Sequence, residues 1–470
     1  MKRVLYLLIL LVSVILSVTG CSSTSVTAEN TAEGPKDLFD DSCVHRIDVR
    51  IADADWEDLL ANPLEKTKYK VDIEIDGVLV EDVSFATKGN SSLAFVVADG
   101  NSSRYSFKVN FGKFVDGQTF NGLDKLNLNN NFADATNMRD YFSYEVFRQA
   151  GVPAPLTSYV WLTINGKDQG LYLAVEDLGK EFLGRVYGGE GVIYKPESSG
   201  LELSAEEVEN IRQSGVRMSA DPHGSDLAYI DDNPDSYPDI FKNNETKATK
   251  KDNQAVVTAL KHLSEQTDLE TWLDTDEIIS FFAAHNLLLN FDSYTGGMLH
   301  NLVLYAKDGR LALLPWDYNL AFGTFIPAID RSGINDLTNV VNHGIDTPLM
   351  GTDESSRPMW KWIADDETYM ARYHEDLDAL VSSYFESGSF EQQARELYEM
   401  LLPYVEKDPT AFFTADQYKE AFRVFCDFCE RRAESIRRQL DGGLASANSD
   451  QQPHEKVDAS DIDLMKMGTP

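Results

Sequence analysis

Cysteine is scarce in this chain, with four among 470 residues at Cys21, Cys43, Cys426 and Cys429. With Cys21 set aside as a processing site, three remain, and an odd count excludes complete intramolecular pairing. Cys426 and Cys429 form a Cys-x-x-Cys in FCDFCERR, the spelling of a zinc or redox site. The surrounding sequence is helical in pattern and two further ligands are not evident nearby, so a packing role is expected instead. Basic residues are also short, 42 against 77 acidic ones, for a net charge of −35. That deficit excludes non-specific nucleic-acid binding, which needs basic surface to displace counterions. A site for a polyanionic nucleotide would need a local basic pocket and a metal to offset the protein's own field. No internal repeat is present.

What the chain does have is apolar mass: 43% hydrophobic and 11% aromatic residues, enough for one large or two closely joined domains. At the N-terminus Lys2 and Arg3 precede an apolar run that ends in Val18-Thr19-Gly20-Cys21. This is a secretory signal of residues 1–20 whose small-residue site resembles the bacterial lipobox, with Cys21 the lipidated first residue of the mature protein. Residues 21–40 are expected to be a flexible tether. The domain then spans 41–440, and small, polar and acidic residues at 441–470 predict a disordered tail.

The first half is strand-rich. VHRIDVRI, KYKVDIEIDGVLVEDVSFATKG with a turn at Asp76-Gly77, RYSFKVNF, KLNLNN, and SYVWLTINGKDQGLYLAVED with a turn at Asn165-Gly166 all alternate or are β-branched. Thr136 to Ala150 carries a wide apolar helical face. Residues 197–252 are acidic and predict an insertion of loops over one face. Helices follow at Gln254–Ser264, Asp276–Asn290, Glu367–Phe385, Phe390–Tyr404 and Ala415–Leu440. The fold class is therefore α+β, with a strand-rich N-terminal half and a helical C-terminal half.

The segment HNLVLYAKDGRLALLPWDYNLAFGTF, His300 to Phe325, predicts a hairpin with a polar ligand at each end. A three-residue loop Asp308-Gly309-Arg310 would set Asn301 opposite Asp317. An amide oxygen beside a carboxylate suits Mg²⁺ or Mn²⁺, which take hard oxygen ligands and accept phosphate oxygens as the rest. Asp292 stands nine residues before Asn301. A catalytic-loop Asp, an Asn, a hairpin and a metal-binding Asp followed by Phe-Gly is the order of parts in protein kinases. The spelling differs: no His-Arg-Asp triplet exists, and Asp317 is separated from Phe322-Gly323.

Across most of the mature chain the fragments Lys88-Gly89-Asn90-Ser91-Ser92, YSFKVNF, KLNLNNNFADATNMRDYFSYEVFRQAGVPAP, GLYLAVEDLGKEFL, VIYKPE, NFDSYTGGMLHNLVLY and LLPWDYNLAFG occur in that order. In this the chain resembles the CotH family, the spore-coat-H-like secreted atypical protein kinases. The resemblance implies a two-lobed kinase-like fold and ATP- and Mg²⁺- or Mn²⁺-dependent phosphorylation of secreted or surface proteins. It makes Asp292 the catalytic-loop carboxylate and Asn301 and Asp317 the metal ligands. Lys108, which interrupts an apolar strand, becomes the leading phosphate cation, with Arg139, Glu176 and Lys195 at matching positions and Glu176 as its expected partner. Lys88, Gly89 and Ser91 belong to a turn that either covers phosphate or closes a tight hairpin; the three-glycine kinase pattern and the P-loop Gly-Lys-Ser/Thr are both missing. The implied partners are a protein substrate at the cell surface and, through lipid on Cys21, the bacterial cell membrane. A kinase-like protein kept for binding or coat assembly is the other expectation.

Overall fold

Three tight turns organise the strands. Asp76-Gly77, Asn165-Gly166 and Asp308-Gly309 each place two successive residues at positive φ (47° and 84°, 49° and 74°, 51° and 88°). This is the two-residue hairpin geometry whose twist matches the strands it joins, and glycine tolerates it without strain. The computed structural model describes residues 37–197, 222–325 and 337–468. The expected signal segment, Cys21 and most of the expected 21–40 tether lie outside the described residues. Among the described residues no helix is long and apolar enough to cross a membrane.

Seven strands, β1 Val44–Arg50, β2 Tyr69–Ile75, β3 Val78–Lys88, β4 Ser106–Asn110, β5 Lys125–Asn129, β6 Thr157–Ile164 and β7 Lys167–Glu176, close into a barrel in the order β1-β2-β3-β4-β5-β7-β6. The closing pair β1·β6 is parallel and the rest are antiparallel. Ile47, Ile73, Phe85, Phe107 and Leu126 fill its interior. β6 is buried along its whole length because its sheet has a core on each side. In the neighbouring strand, Tyr172 and Ala174 face the barrel core while Leu171, Leu173 and Val175 join the core of the helical half, the period-two alternation of a strand serving both.

Four helices, α1 Asp53–Ala61, α2 Ser91–Asp99, α3 Arg139–Gln149 and α4 Lys180–Tyr187, sit among these strands. A second sheet, ordered β10-β9-β8, comprises β8 Val192–Tyr194, β9 Leu302–Lys307 and β10 Arg310–Pro315. The helical half is built round Thr275–Leu288, buried on nearly all sides. The helix Ala415–Leu440 matches its predicted bounds, its start fixed by a reciprocal cap between Thr414 and Gln417. The α+β class and the strand-rich and helical halves are as expected.

Four expectations need correction. The β9–β10 loop has two residues, Asp308 and Gly309, so Lys307 pairs with Arg310 and Leu302 with Pro315. The register is one residue away from the one expected, and Asn301 does not lie opposite Asp317. The helix expected over Thr136–Ala150 begins at Arg139. Within the expected insertion, 198–221 lie outside the described residues, but Leu227, Tyr237 and Ile240 are buried in the main core, so the rest is no set of loops over one face. The expected disordered tail is packed as far as Gly468: Val457, Ala459, Ile462, Leu464 and Met467 are buried in the same core. Cys429 is buried, Cys426 is half-buried, and neither is bonded to another cysteine. Burial pushes the Cys426 thiol up to about 12. Among the described residues no group of three His, Cys, Asp or Glu could hold a metal.

Candidate functional site

A strand that stops short leaves its flanking residues free to turn. β9 begins at Leu302 and β10 ends at Pro315, and just beyond them Asn301 and Asp317 both adopt left-handed backbone, φ 55° and 57°. Asn and Asp are among the few side chains that tolerate this region. Ser293 Oγ donates to the Asn301 carbonyl at 3.2 Å, and Asn301 Nδ2 donates to Asp292 Oδ2 at 2.8 Å. The helix Thr275–Leu288 ends at Leu289, itself left-handed, and Asp292 follows within one short turn, its N–H bonded to Asn290 Oδ1. Asp292, Asn301 and Asp317 thus line one cavity of about 550 Å³.

The rest of the lining is rich in lysine. Lys66, Lys68, Lys88, Lys108, Lys125 and Lys195 belong to it, alongside the carboxylates of Glu197, Glu245, Asp292 and Asp317. Lysine therefore predominates in this one cavity of a chain with nearly twice as many acidic as basic residues. Two of the cations lie over the Trp316 ring, Lys88 Nζ 5.5 Å and Lys195 Nζ 6.0 Å from its centre. Lys88 Nζ donates to Asn129 Oδ1 at 2.7 Å, and Lys195 pairs with Glu197 at 2.7 Å. Burial pulls the Lys88 ammonium below the usual lysine value, opposed by Asp317 and Asp140. Burial also works to lower Lys108, but the carboxylates of Asp177 and Glu245 outweigh it and raise the group. His300, also in the lining, is pushed down by burial.

Gly89, Asn90 and Ser91 form neither a hairpin loop nor a free turn: they join β3 to α2. Gly89 has φ 105°, and a Cβ there would meet Ser92 Oγ at 2.8 Å, so glycine is required. Asn90 Oδ1 is held by Lys66 Nζ at 2.7 Å. Gly89, Asn90, Ser91 and Ser92 line the cavity, where the first turn of α2 offers backbone N–H groups and a positive dipole end to an anion.

Two expected residues lie elsewhere. Arg139 is fully buried, pairs with Asp134 at 3.2 Å and donates to the carbonyls of Ala133 and Gly468; it ties the C-terminal segment to the turn before α3. Glu176 turns away from Lys108, pairing with Arg185 at 2.5 Å and accepting from the Leu156 N–H at 3.1 Å. The next residue takes the expected role. Asp177 meets Lys108 Nζ at 2.6 Å and Lys125 Nζ at 3.5 Å, since successive residues at a strand end face opposite ways. Burial would raise its carboxyl, but Lys108 and Lys125 hold it below the ordinary range.

Sequence reasoning also passed over Asp140 and Tyr144, one turn apart on α3. Asp140 Oδ1 accepts from the Tyr318 N–H at 2.9 Å, and Tyr144 Oη accepts from the Asp317 N–H at 3.0 Å. Burial, reinforced by Asp317, pushes the Asp140 carboxyl up to about 7. The available signal was a carboxylate beside Tyr141 and Phe142 on a face otherwise reserved for packing.

The donor set fits a hard divalent cation. The carboxylate of Asp317 and the carboxamide of Asn301 offer oxygen, the ligand type Mg²⁺ or Mn²⁺ would take, with water and phosphate oxygens as the rest.

The family described as CotH kinase protein matches residues 85–436, a span that takes in the barrel from the end of β3 onward and every residue of the cavity except Lys66, Lys68 and Ser84. The inner spore coat protein H of Bacillus subtilis (strain 168) is 23% identical over 341 residues, 70% of this chain and 81% of that protein. An inner spore coat protein H-like protein of the same organism is 32% identical over 93 residues, 20% of this chain and 29% of that one.

Proposed function

Since this chain belongs to the CotH family, we propose that it is an extracytoplasmic protein kinase, moving the terminal phosphoryl group of ATP to a hydroxyl of a surface or secreted protein. The observation that carries this is one cavity lined together by Asp292, Asn301, Asp317 and six lysines. Asp292 accepts the proton of the attacking hydroxyl as its oxygen bonds to phosphorus and the bond to the ADP oxygen breaks. Asn301 and Asp317 would hold Mg²⁺ or Mn²⁺, which when bound neutralises charge developing on the phosphates. Lys88, Lys108 and Lys195 supply the protein's own cations, and the Gly89–Ser91 junction supplies N–H donors. The N-terminal lipobox and the coat location in the relatives' names support a lipid-anchored position on the outer face of the cell membrane.

The test is incubation of the purified chain with labelled ATP and Mn²⁺ or Mg²⁺, followed by a search for label on the protein itself and on surface proteins. Asp317→Ala is expected to abolish transfer with the fold retained. Asp292→Asn should lower turnover far more than nucleotide affinity. The relatives' naming as coat proteins favours a second reading, a non-catalytic surface protein. A wild type that transfers no label but still binds a surface partner would support that reading and defeat the first.

A further inference from the structure

Asp317 has to hold a left-handed backbone, φ 57°, at the point where its carboxylate enters the cavity. Nothing in its own strand enforces this, because β10 ended at Pro315. The restraint comes from α3: the Asp317 N–H is bound by Tyr144 and the next N–H, that of Tyr318, by Asp140. Asp140 has a second attachment. Its Oδ2 accepts from Asn129 Nδ2 at 2.9 Å, and Asn129 Oδ1 in turn accepts from Lys88 Nζ at 2.7 Å. A continuous path of hydrogen bonds therefore runs from the cavity lysine on β3, through β5 and α3, to the backbone that carries the metal-facing aspartate. Asp140 is 4% exposed and Tyr144 1%, so neither has solvent to compete for these bonds. Asp140, Lys88 and Asp317 also border one small recess behind the main cavity.

We propose that Asp140 is the positioning residue of this site, fixing the Asp317 carboxylate and the Lys88 ammonium relative to each other, with Tyr144 as its companion on the Asp317 side. The inference rests on the phosphotransfer reading for its consequence in catalysis and on geometry alone for its consequence in metal binding. The α3 side chains touch neither metal nor phosphate; they act through Asp317 and Lys88.

Asp140→Asn keeps an acceptor for the Tyr318 N–H but turns an amide N–H₂ toward that of Asn129, which breaks the path to Lys88. Tyr144→Phe removes the acceptor of the Asp317 N–H together with the hydroxyl's own hydrogen bond to Asp140. Both variants of the full chain, with wild type and Asp317→Ala, are titrated with Mn²⁺ by calorimetry, melted to check folding and assayed for transfer. Asp140→Asn is expected to bind Mn²⁺ about 10–100-fold more weakly, the usual loss when a partner orienting a metal ligand is removed. Tyr144→Phe should show a smaller loss in the same direction. A folded Asp140→Asn with wild-type Mn²⁺ affinity overturns the proposal; should that variant not fold, Tyr144→Phe with wild-type affinity overturns it equally. Wild type that binds Mn²⁺ yet transfers no phosphate removes the kinase reading and, with Asp140→Asn still weakened, leaves this inference standing. Wild type that binds no Mn²⁺ removes both.

Discussion

Glu176 and Asp177 are consecutive carboxylates with unrelated partners, Arg185 for the first and Lys108 with Lys125 for the second. The sequence shows that an acid stands where β7 ends; it does not show which neighbour faces the cavity, because a shift of one residue reverses every side chain. Family resemblance pointed to Glu176, and the strand end points to Asp177. The two are separable by substitution. Asp177→Asn takes from Lys108 the carboxylate in direct contact with it, leaving Glu245, and should lower transfer roughly tenfold, about 1.4 kcal/mol of lost orientation. Glu176→Gln should leave transfer at the wild-type rate and cost about 1–3 kcal/mol of stability through its weakened bonds to Arg185 and Leu156. Equal transfer by Asp177→Asn and wild type in the labelled-ATP assay would show that Lys108 needs no such partner. Arg139 was misread for a related reason: a charged residue in a family motif was taken as cavity-facing, whereas its donors reach backbone carbonyls in the interior.

Among the elements, strands and hairpins were the most legible, since Asp-Gly and Asn-Gly between alternating apolar runs specify the turn directly. The β9–β10 hairpin was recognised and its loop length was not, because Arg310 could as well close the loop as open the strand. Helices α1 and α4 were overlooked: each is short, and neither interrupts the strands that surround it with a long apolar stripe. One consequence of α4 is a pH dependence. Tyr187 at its C-terminal end donates to Glu277 Oε1 at 2.7 Å, at the start of the helix Thr275–Leu288. Burial, opposed by the Tyr187 hydrogen bond and by Arg310 and aided by Asp274, pushes the Glu277 carboxyl up to about 7. A carboxyl raised in the folded state favours folding fully below its unfolded value, and that contribution is lost as pH rises through about 7. Glu277→Gln keeps the acceptor for Tyr187 and removes the buried charge. It should therefore stabilise the protein by about 1–3 kcal/mol at pH 8, with the gain fading to nothing by about pH 4.5, measured as denaturant midpoints across that range. A gain independent of pH would mean that the glutamate is ionised throughout or not at all.

At the scale of the molecule, the barrel and the helical half share β6 and β7 as a common wall, and the segment after Leu440 returns across both the helix Ala415–Leu440 and the turn before α3. Composition concealed this last connection. Residues 441–470 are mostly small, polar or acidic, and their few apolar side chains follow no helical or strand period, because they fill a surface that other elements have already made. Asn342 Oδ1 accepts from the Val457 N–H at 3.0 Å, Arg431 pairs with Asp461, and Lys466 meets Glu420 at 2.7 Å. The Met467 carbonyl accepts from the Ala135 N–H at 2.9 Å, and that of Gly468 from Arg139 at 3.1 Å. The segment therefore braces the turn from which α3, with Asp140 and Tyr144, departs. Truncation after Gly443 exposes the faces that Val457, Ile462, Leu464 and Met467 cover and strips the Arg139 guanidinium of a partner it cannot replace from solvent. Each lost apolar side chain removes about 1.5–3 kcal/mol of burial, partly offset by the entropy regained by the freed chain. The truncated protein should melt roughly 5–10 °C below the full chain and lose Mn²⁺ affinity in the same direction as Asp140→Asn. If it melts with the full chain and binds Mn²⁺ as tightly, the C-terminal segment is a passenger on the fold and α3 needs no brace.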